Sequence, residues 1–351
     1  MEKIFNKVSI RAIAATLPKE TLKLETLSES FGEDTVKKII SNTGITEVHV
    51  SPPEKISSDY CVAAAQRIFS ETEITPEIID AIIFVTESPD YIVPHTSAIM
   101  QSRLKLPNRV ISMDINYGCA GYVYGIFQAS LLIESGYCKN VLLCVGDIPT
   151  SRVNPQDKAV RMLFGDAGSA TILSATDSAQ NSAFNFFTNG ENAKHLIIPA
   201  GSFRFPHKEG VTDVLQLDEN GNGRTAENLF MDGMEVMNFI FKNVPRVILE
   251  NLEMLNLTPS EINLFALHQV NKVVSKYLAK KLKVNAEKVP FGADKTGNTT
   301  GTSIPLMLST LYAGINPAFK KVLISGFGTG LTCASGVIDL SQTKIFAPVQ
   351  I

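Results

Sequence analysis

A repeat is concealed in this sequence. The segment from Ile74 runs Ile-Thr-Pro through Ile79-Asp80 into the apolar run AIIFV, and the segment from Leu257 runs Leu-Thr-Pro through Ile262-Asn263 into LFALH, in residue-for-residue register. Each Thr-Pro pair begins a short turn, because proline fixes φ and lacks an amide donor, and each turn feeds a strand-length apolar run. Two further correspondences follow in the same order. Tyr117-Gly118-Cys119-Ala120-Gly121 opens an apolar helical stretch, and Thr296-Gly297-Asn298-Thr299-Thr300-Gly301 opens another. Lys139-Asn140-Val141-Leu142-Leu143 then answers Lys320-Lys321-Val322-Leu323-Ile324. Three matches in order argue for duplication rather than chance.

Short apolar runs alternating with helical stretches predict an α/β fold with mostly parallel sheets covered by helices. The stretches YVYGIFQASLLI and SIPLMLSTLYAGI are apolar nearly all round, so each should be buried between layers, with two sheets sandwiching central helices. A polar tract from about Ser174 to Arg224, rich in glycine and asparagine, reads as loops and edge strands with a boundary near Thr176. The expected halves are residues 1–175, carrying Cys119, and 176–351, carrying His268 and Asn298.

Apolar residues make up 44% of the 351-residue chain and charged residues 19%, which suits such a core and gives no signature of disorder. A net charge of −3 offers no general footprint for nucleic acid or a membrane surface. No apolar run reaches the length of a membrane span, and the N-terminal stretch MEKIFNKVSIRAIAATLPKE has no clear cleavage site, so a soluble cytoplasmic protein is expected. Cys61, Cys119, Cys138, Cys144 and Cys333 are odd in number and lack CxxC spacing, which suggests neither a disulfide framework nor a zinc knuckle.

Cys119 follows the strand-like VISMDIN and stands at the mouth of an apolar helix, where free backbone N–H groups and the helix dipole are expected to favour a thiolate. The other cysteines lie in apolar helical or strand-like contexts and read as small hydrophobes. His268 ends the run LFAL, at a strand end of the kind that hosts sites; taken alone it would be a hydrogen-bonded structural histidine. His49, His95, His195 and His207 lack that placement. Asn298 alone would be a turn or capping residue, but it occupies in the second half the position of Cys119 in the first, where a neutral amide suits a developing oxyanion or enolate. A cleft between the halves would bring these residues together. Ser325-Gly326-Phe327-Gly328-Thr329-Gly330 is either a tight turn or a run of backbone N–H groups exposed to a carbonyl oxygen, and its spacing matches no nucleotide fingerprint.

The motifs YGCAG, HQVN, TGNTTGTSIP and GFGTG, in this order, together with LFGDAGSATIL and MDGMEVMNF, resemble the ketoacyl-acyl-carrier-protein synthase III family of the thiolase superfamily, from about Val8 to Leu340. The resemblance implies a five-layer αβαβα fold, a homodimer, and decarboxylative Claisen condensation of an acyl thioester with malonyl carrier protein. It implies Cys119 as the acylated nucleophile and His268 with Asn298 as the pair that holds the malonyl thioester carbonyl. The backbone N–H groups of Cys119 and of the Gly328-Thr329 turn would form an oxyanion hole, and no metal or other cofactor is implied. Val93, Leu163 and Phe164 are the expected acyl-pocket residues, Val93 standing where a bulky aromatic residue commonly closes the pocket from the partner subunit.

Departures from the family pattern bear on substrate. Thr46 follows Thr43-Gly44-Ile45 where housekeeping members have an arginine near the adenine of coenzyme A, and Lys158 replaces another expected arginine. The acyl donor is therefore expected on coenzyme A or on acyl carrier protein, with Lys158, Asn271, Lys272 and Lys276 as contacts. The basic run Lys272, Lys276, Lys280, Lys281 and Lys283 would face an acidic carrier protein, although a solvated face is the usual meaning of such a run. Glu87, in VTESPD, looks like the general base of the related hydroxymethylglutaryl-CoA synthases, so a non-decarboxylating synthase or an acyltransferase is the alternative enzyme. An inactive partner subunit is the non-enzymatic alternative, disfavoured by the presence of Cys119.

Overall fold

The computed structural model describes residues 3–178, 181–315 and 319–351. The first sheet contains β1 (Val8–Leu17), β2 (Ala81–Val85), β3 (Ile111–Ile115), β4 (Asn140–Asp147) and β5 (Ala167–Ala175), in the order β1-β5-β4-β2-β3. Its helices are α1 (Ser57–Glu71), α2 (Thr96–Arg103) and α3 (Gly121–Glu134). The second sheet contains β6 (Phe184–Thr188), β7 (Leu264–Leu267), β8 (Val322–Gly328) and β9 (Thr332–Ile338), in the order β6-β9-β8-β7. With it come α4 (Gly233–Met254), α5 (Lys272–Leu282) and α6 (Ser303–Tyr312). The two orders superimpose strand for strand, except that among the described residues nothing regular stands where β3 stands in the first half.

The repeat seen in the sequence has a hydrogen-bond counterpart. Asp80 N–H donates to Asn140 O at 2.9 Å, and Asp80 Oδ2 accepts the N–H groups of Lys139 and Asn140 at 2.8 and 3.0 Å. Asn263 N–H donates to Lys321 O at 2.9 Å, and Asn263 Oδ1 accepts Lys321 N–H at 3.0 Å. The side chain after each Thr-Pro turn thus pins the start of the neighbouring parallel strand.

Both sheets are covered on both faces, which explains their unbroken apolar runs. Along β2, Ala81, Ile83 and Val85 face one core while Ile82 and Phe84 face another. The inner core joins Val123, Ile126 and Ala129 of α3 with Ile304, Met307 and Leu308 of α6, and with Leu264, Ala266, Val322 and Ile324 of the second sheet. Helices α1 and α2 cover the outer face of the first sheet, and α4 and α5 that of the second. The result is the five-layer αβαβα arrangement of a thiolase-like fold.

The sheets are mixed rather than mostly parallel. β4 is parallel to β2 but antiparallel to β5, and β8 is parallel to β7 but antiparallel to β9. The turn Thr329–Leu331 between β8 and β9 is too short for the crossover that a parallel pair needs. The polar tract after Ser174 supplies β6, an edge strand of the second sheet, and short ladders such as Gln216–Leu217 with Gly223–Arg224. Lys344–Ile345 and Val349–Gln350 return to pair with β1 in the first sheet. Among the described residues no helix is long and apolar enough to cross a membrane.

Candidate active site

Cys119 lies on the turn between β3 and α3, and two other turns close on it. A Cβ on Gly301 would stand 2.8 Å from Gly118 O, and one on Gly326 would stand 2.6 Å from Cys119 O. On Gly328 it would meet Cys119 Cβ at 2.6 Å and Sγ at 2.8 Å. Only glycine allows these backbones to approach so closely, at Gly301 in the Thr300–Thr302 turn and at Gly326 and Gly328 in the last residues of β8. Cys119 is thereby buried, 4% exposed.

His268 follows β7, and its N–H donates to Ser325 O at 2.8 Å, which carries the register with β8 one residue past the strand. The ring is buried edge-on to Phe327, with centroids 5.4 Å apart. Nδ1 lies 2.6 Å from Ser303 Oγ, which also accepts Gln269 N–H at 3.3 Å; with the hydroxyl assigned as donor to Nδ1, the ring hydrogen falls on Nε2. Nε2 is buried with no partner. Burial pushes the imidazole pKa down to about 3, so the ring is neutral at ordinary pH.

Asn298 joins the two halves through backbone bonds: its N–H donates to Leu163 O at 2.8 Å, and its C=O accepts Gly165 N–H at 3.1 Å. Its Oδ1 accepts Thr300 N–H at 2.9 Å, which orients the amide and leaves Nδ2 as the available donor. The bond meets the first residue of a 3₁₀ turn, Thr300–Thr302, whose cap position is Thr299, and does not reach α6.

A narrow cavity of about 60 Å³ reaches Cys119. Glu87, Ser88, Asp147, Arg152, Thr300 and Thr329 form its polar side, and Ile148, Pro149, Phe164, Leu196, Ile198 and Leu229 its apolar side. His268 and Asn298 are not among the lining residues; Asn298 is bonded to the lining residue Thr300, and His268 to Ser303, which does not line it.

The electrostatics differ from the sequence expectation of a favoured thiolate. Burial first, and then the carboxyl groups of Glu87 and Asp147, push the Cys119 thiol well above its ordinary pKa, against the backbone N–H groups of Cys119 and Thr329 that favour the anion. Asp147 is buried at the end of β4. Its Oδ1 accepts Thr86 Oγ1, Glu87 N–H and Ser88 Oγ at 3.0, 2.7 and 2.9 Å, and its Oδ2 accepts Thr300 Oγ1 at 2.5 Å. Glu87 Oε1 accepts Thr329 Oγ1 at 2.8 Å; although the residue as a whole is exposed, the crowding of its carboxyl group, followed by Asp147, pushes its pKa up to about 7. Asp147, with four donors on its two oxygens, therefore keeps its charge, and Glu87 takes the proton first.

Of the expected acyl-pocket residues, Phe164 lines this cavity, Leu163 packs beside it in the small core with Val48, Val153 and Met162, and Val93, expected to act on a second subunit, is 80% exposed. Phe164 and Leu163 are adjacent and share that core, but only Phe164 also lines the cavity. Lys158 Nζ donates to Asn220 O at 2.6 Å, and Asn271 caps α5 by accepting Val274 N–H at 2.9 Å. Lys272 and Lys276 line a separate depression with Gly44, Phe291 and Asp294. Asp147 and Arg152 had gone unremarked in the sequence. Asp147 ends an apolar strand as His268 follows one, and that was the available signal.

Family comparison agrees with this geometry. Residues 113–190 match the model for 3-oxoacyl-[acyl-carrier-protein] synthase III and residues 252–340 the model for its C-terminal part. A beta-ketoacyl-[acyl-carrier-protein] synthase III of Sulfurimonas denitrificans is 34% identical over 96% of this chain and 99% of that protein. The chain belongs to the 3-oxoacyl-[acyl-carrier-protein] synthase III family. A synthase III of Caldanaerobacter subterraneus is 31% identical over 87% of this chain and 89% of its own length. A crystal structure of a 3-oxoacyl-(acyl-carrier-protein) synthase III matches with a TM-score of 0.92 at 34% identity, covering 95% of this chain and 99% of that one. A Burkholderia xenovorans 3-oxoacyl-(acyl-carrier protein) synthase matches with a TM-score of 0.93 at 29% identity, covering 100% and 99%. As a synthase III family member, the chain is a condensing enzyme of the acyltransferase type with the thiolase fold.

Proposed function

We propose that the chain accepts an acyl group on Cys119 and condenses it, with decarboxylation, with a malonyl thioester on acyl carrier protein. The observation that carries this reading is the buried Nε2 of His268, which makes no hydrogen bond of good geometry, on a ring that faces the Thr300 backbone in the turn of Asn298. A buried N–H without an acceptor costs about 1–3 kcal/mol, which a bound carbonyl oxygen would recover. In the first step the Cys119 sulfur attacks the donor thioester carbonyl, and the backbone N–H groups of Cys119, Gly328 and Thr329 receive the oxyanion. In the second, His268 Nε2–H and Asn298 Nδ2–H hold the malonyl thioester oxygen while the bond to the carboxylate breaks. The electron pair then forms the enolate, which attacks the acyl carbonyl and releases Cys119. Neither donor is charged, so neither competes for the malonyl carboxylate.

The two halves, 1–175 and 176–351, would act as one unit within a cytoplasmic homodimer. Supporting the dimer, β3 is the half-buried edge of its sheet, and Tyr91, Ile92 and Val93 are 62%, 76% and 80% exposed. Val93 would then close the cavity of a second copy, and the lysines of α5 would receive the carrier protein.

The test is carbon dioxide release from malonyl carrier protein by enzyme preloaded with a panel of acyl thioesters, alongside Cys119→Ala and Asn298→Ala. Release that requires acyl loading, Cys119 and Asn298 supports the reading and reports the preferred chain. Acylation of Cys119 without release would move the assignment to the second reading, a non-decarboxylating condensation or acyl transfer, which the carboxyl group of Glu87 in the cavity favours.

A further inference from the structure

We propose that Glu87 accepts the Cys119 thiol proton as the acyl group arrives and passes it to the departing thiol. This rests on Cys119 being the acyl acceptor. Glu87 Oε2 packs so tightly against Gly118, the residue before Cys119, that no Cβ fits there. Its Oε1 accepts the hydroxyl of Thr329, whose backbone N–H favours the Cys119 anion, and both residues line the cavity with the sulfur. The carboxylate is thus fixed by groups from the two turns that enclose the nucleophile.

The need for an acceptor follows from the surroundings. Burial and two neighbouring carboxyl groups keep Cys119 as a thiol, and a thiol is a poor nucleophile until its proton leaves. The charged and titratable groups facing Glu87 are Asp147 from the end of β4, Cys119 before α3, and Arg152 on the same cavity wall. Asp147 is committed to its four donors, which leaves Glu87 as the acceptor, and its pKa of about 7 suits transfer in either direction near neutrality. The S–H bond of Cys119 breaks as the S–C bond forms, and the proton goes to Glu87. When the tetrahedral intermediate collapses, the donor C–S bond breaks and the leaving thiolate takes that proton from Glu87. No proton is gained or lost overall.

A purely electrostatic role for Glu87 predicts the opposite sign, because removing a negative neighbour would ease thiol ionisation. The experiment measures the rate of Cys119 acylation by an acyl thioester, read by intact-protein mass at successive times between pH 5.5 and 9.5. Wild type, Glu87→Gln and Glu87→Asp are compared, with melting temperatures to verify folding. We expect a wild-type inflection near pH 7 and a loss of about 100-fold in Glu87→Gln at neutral pH. Glu87→Gln should lose the inflection and rise steadily into the thiol range, and Glu87→Asp should recover part of the rate with the inflection retained. Acylation of Glu87→Gln at or above the wild-type rate would overturn the proposal, as would an unchanged pH profile. An absence of any adduct on wild-type Cys119 would instead remove the reading on which the proposal rests.

Discussion

With burial holding His268 neutral down to about pH 3, its donor strength is constant through the physiological range. The acid limb of the overall rate must therefore come from another group. Asn298→Ala is expected to lower decarboxylation by about 3 kcal/mol, or roughly two orders of magnitude, with Cys119 acylation retained when measured by mass. Glu87 also leaves a mark on stability. Its folded pKa of about 7 lies above the ordinary glutamate value of 4.5, so the folded state binds more protons and stability falls as pH rises across that window. Glu87→Gln should remove this slope and melt above wild type at pH 8, with the difference vanishing below pH 4.5, as thermal scans against pH would read. At this scale the sequence displayed Cys119, His268 and Asn298 because each sits in a short motif. It did not display Asp147, whose partners Thr86, Ser88 and Thr300 come from distant segments, nor that Phe164 rather than Leu163 lines the cavity. A side chain's direction on a turn depends on packing that no local pattern encodes.

Elements were more legible, because α3, α6, β2 and β7 are buried on all sides and carry uninterrupted apolar runs. The antiparallel β5 and β9 were less so, since apolar content alone does not reveal direction; only the shortness of the turn at Thr329–Leu331 does. The crossing of α3 and α6 with the glycine turns gives a sharp comparison. Gly326→Ala places a methyl group 2.6 Å from Cys119 O and 2.7 Å from Ala120 Cα, both backbone atoms. It should cost about 1–3 kcal/mol in urea unfolding, with a larger loss of Cys119 acylation than the stability change explains. Gly190→Ala, with nothing within 4 Å and no positive φ, should leave both unchanged.

Across the whole molecule the duplication was readable, while the return of the C-terminal segment to the first sheet was not, because two-residue strands carry no periodic signal. That return buries Phe346 in the outer core with Ala12 and Ala14 of β1 and Ala65 of α1. Phe346→Ala should lower unfolding free energy by about 3 kcal/mol in a denaturant titration, although the residue lies on neither the cavity wall nor its turns.

The pairing of Ala12 with Lys344 and of Thr16 with Val349 also bears on synthesis. During synthesis β1 is made long before Lys344–Ile345 and Val349–Gln350, and until they follow that edge is uncovered. A chain stopped short of Lys344 holds every residue of the site yet presents a bare strand edge, the feature that invites aggregation. Premature termination would then be sensed as exposed backbone, and faulty copies would be cleared by solubility rather than by loss of catalysis.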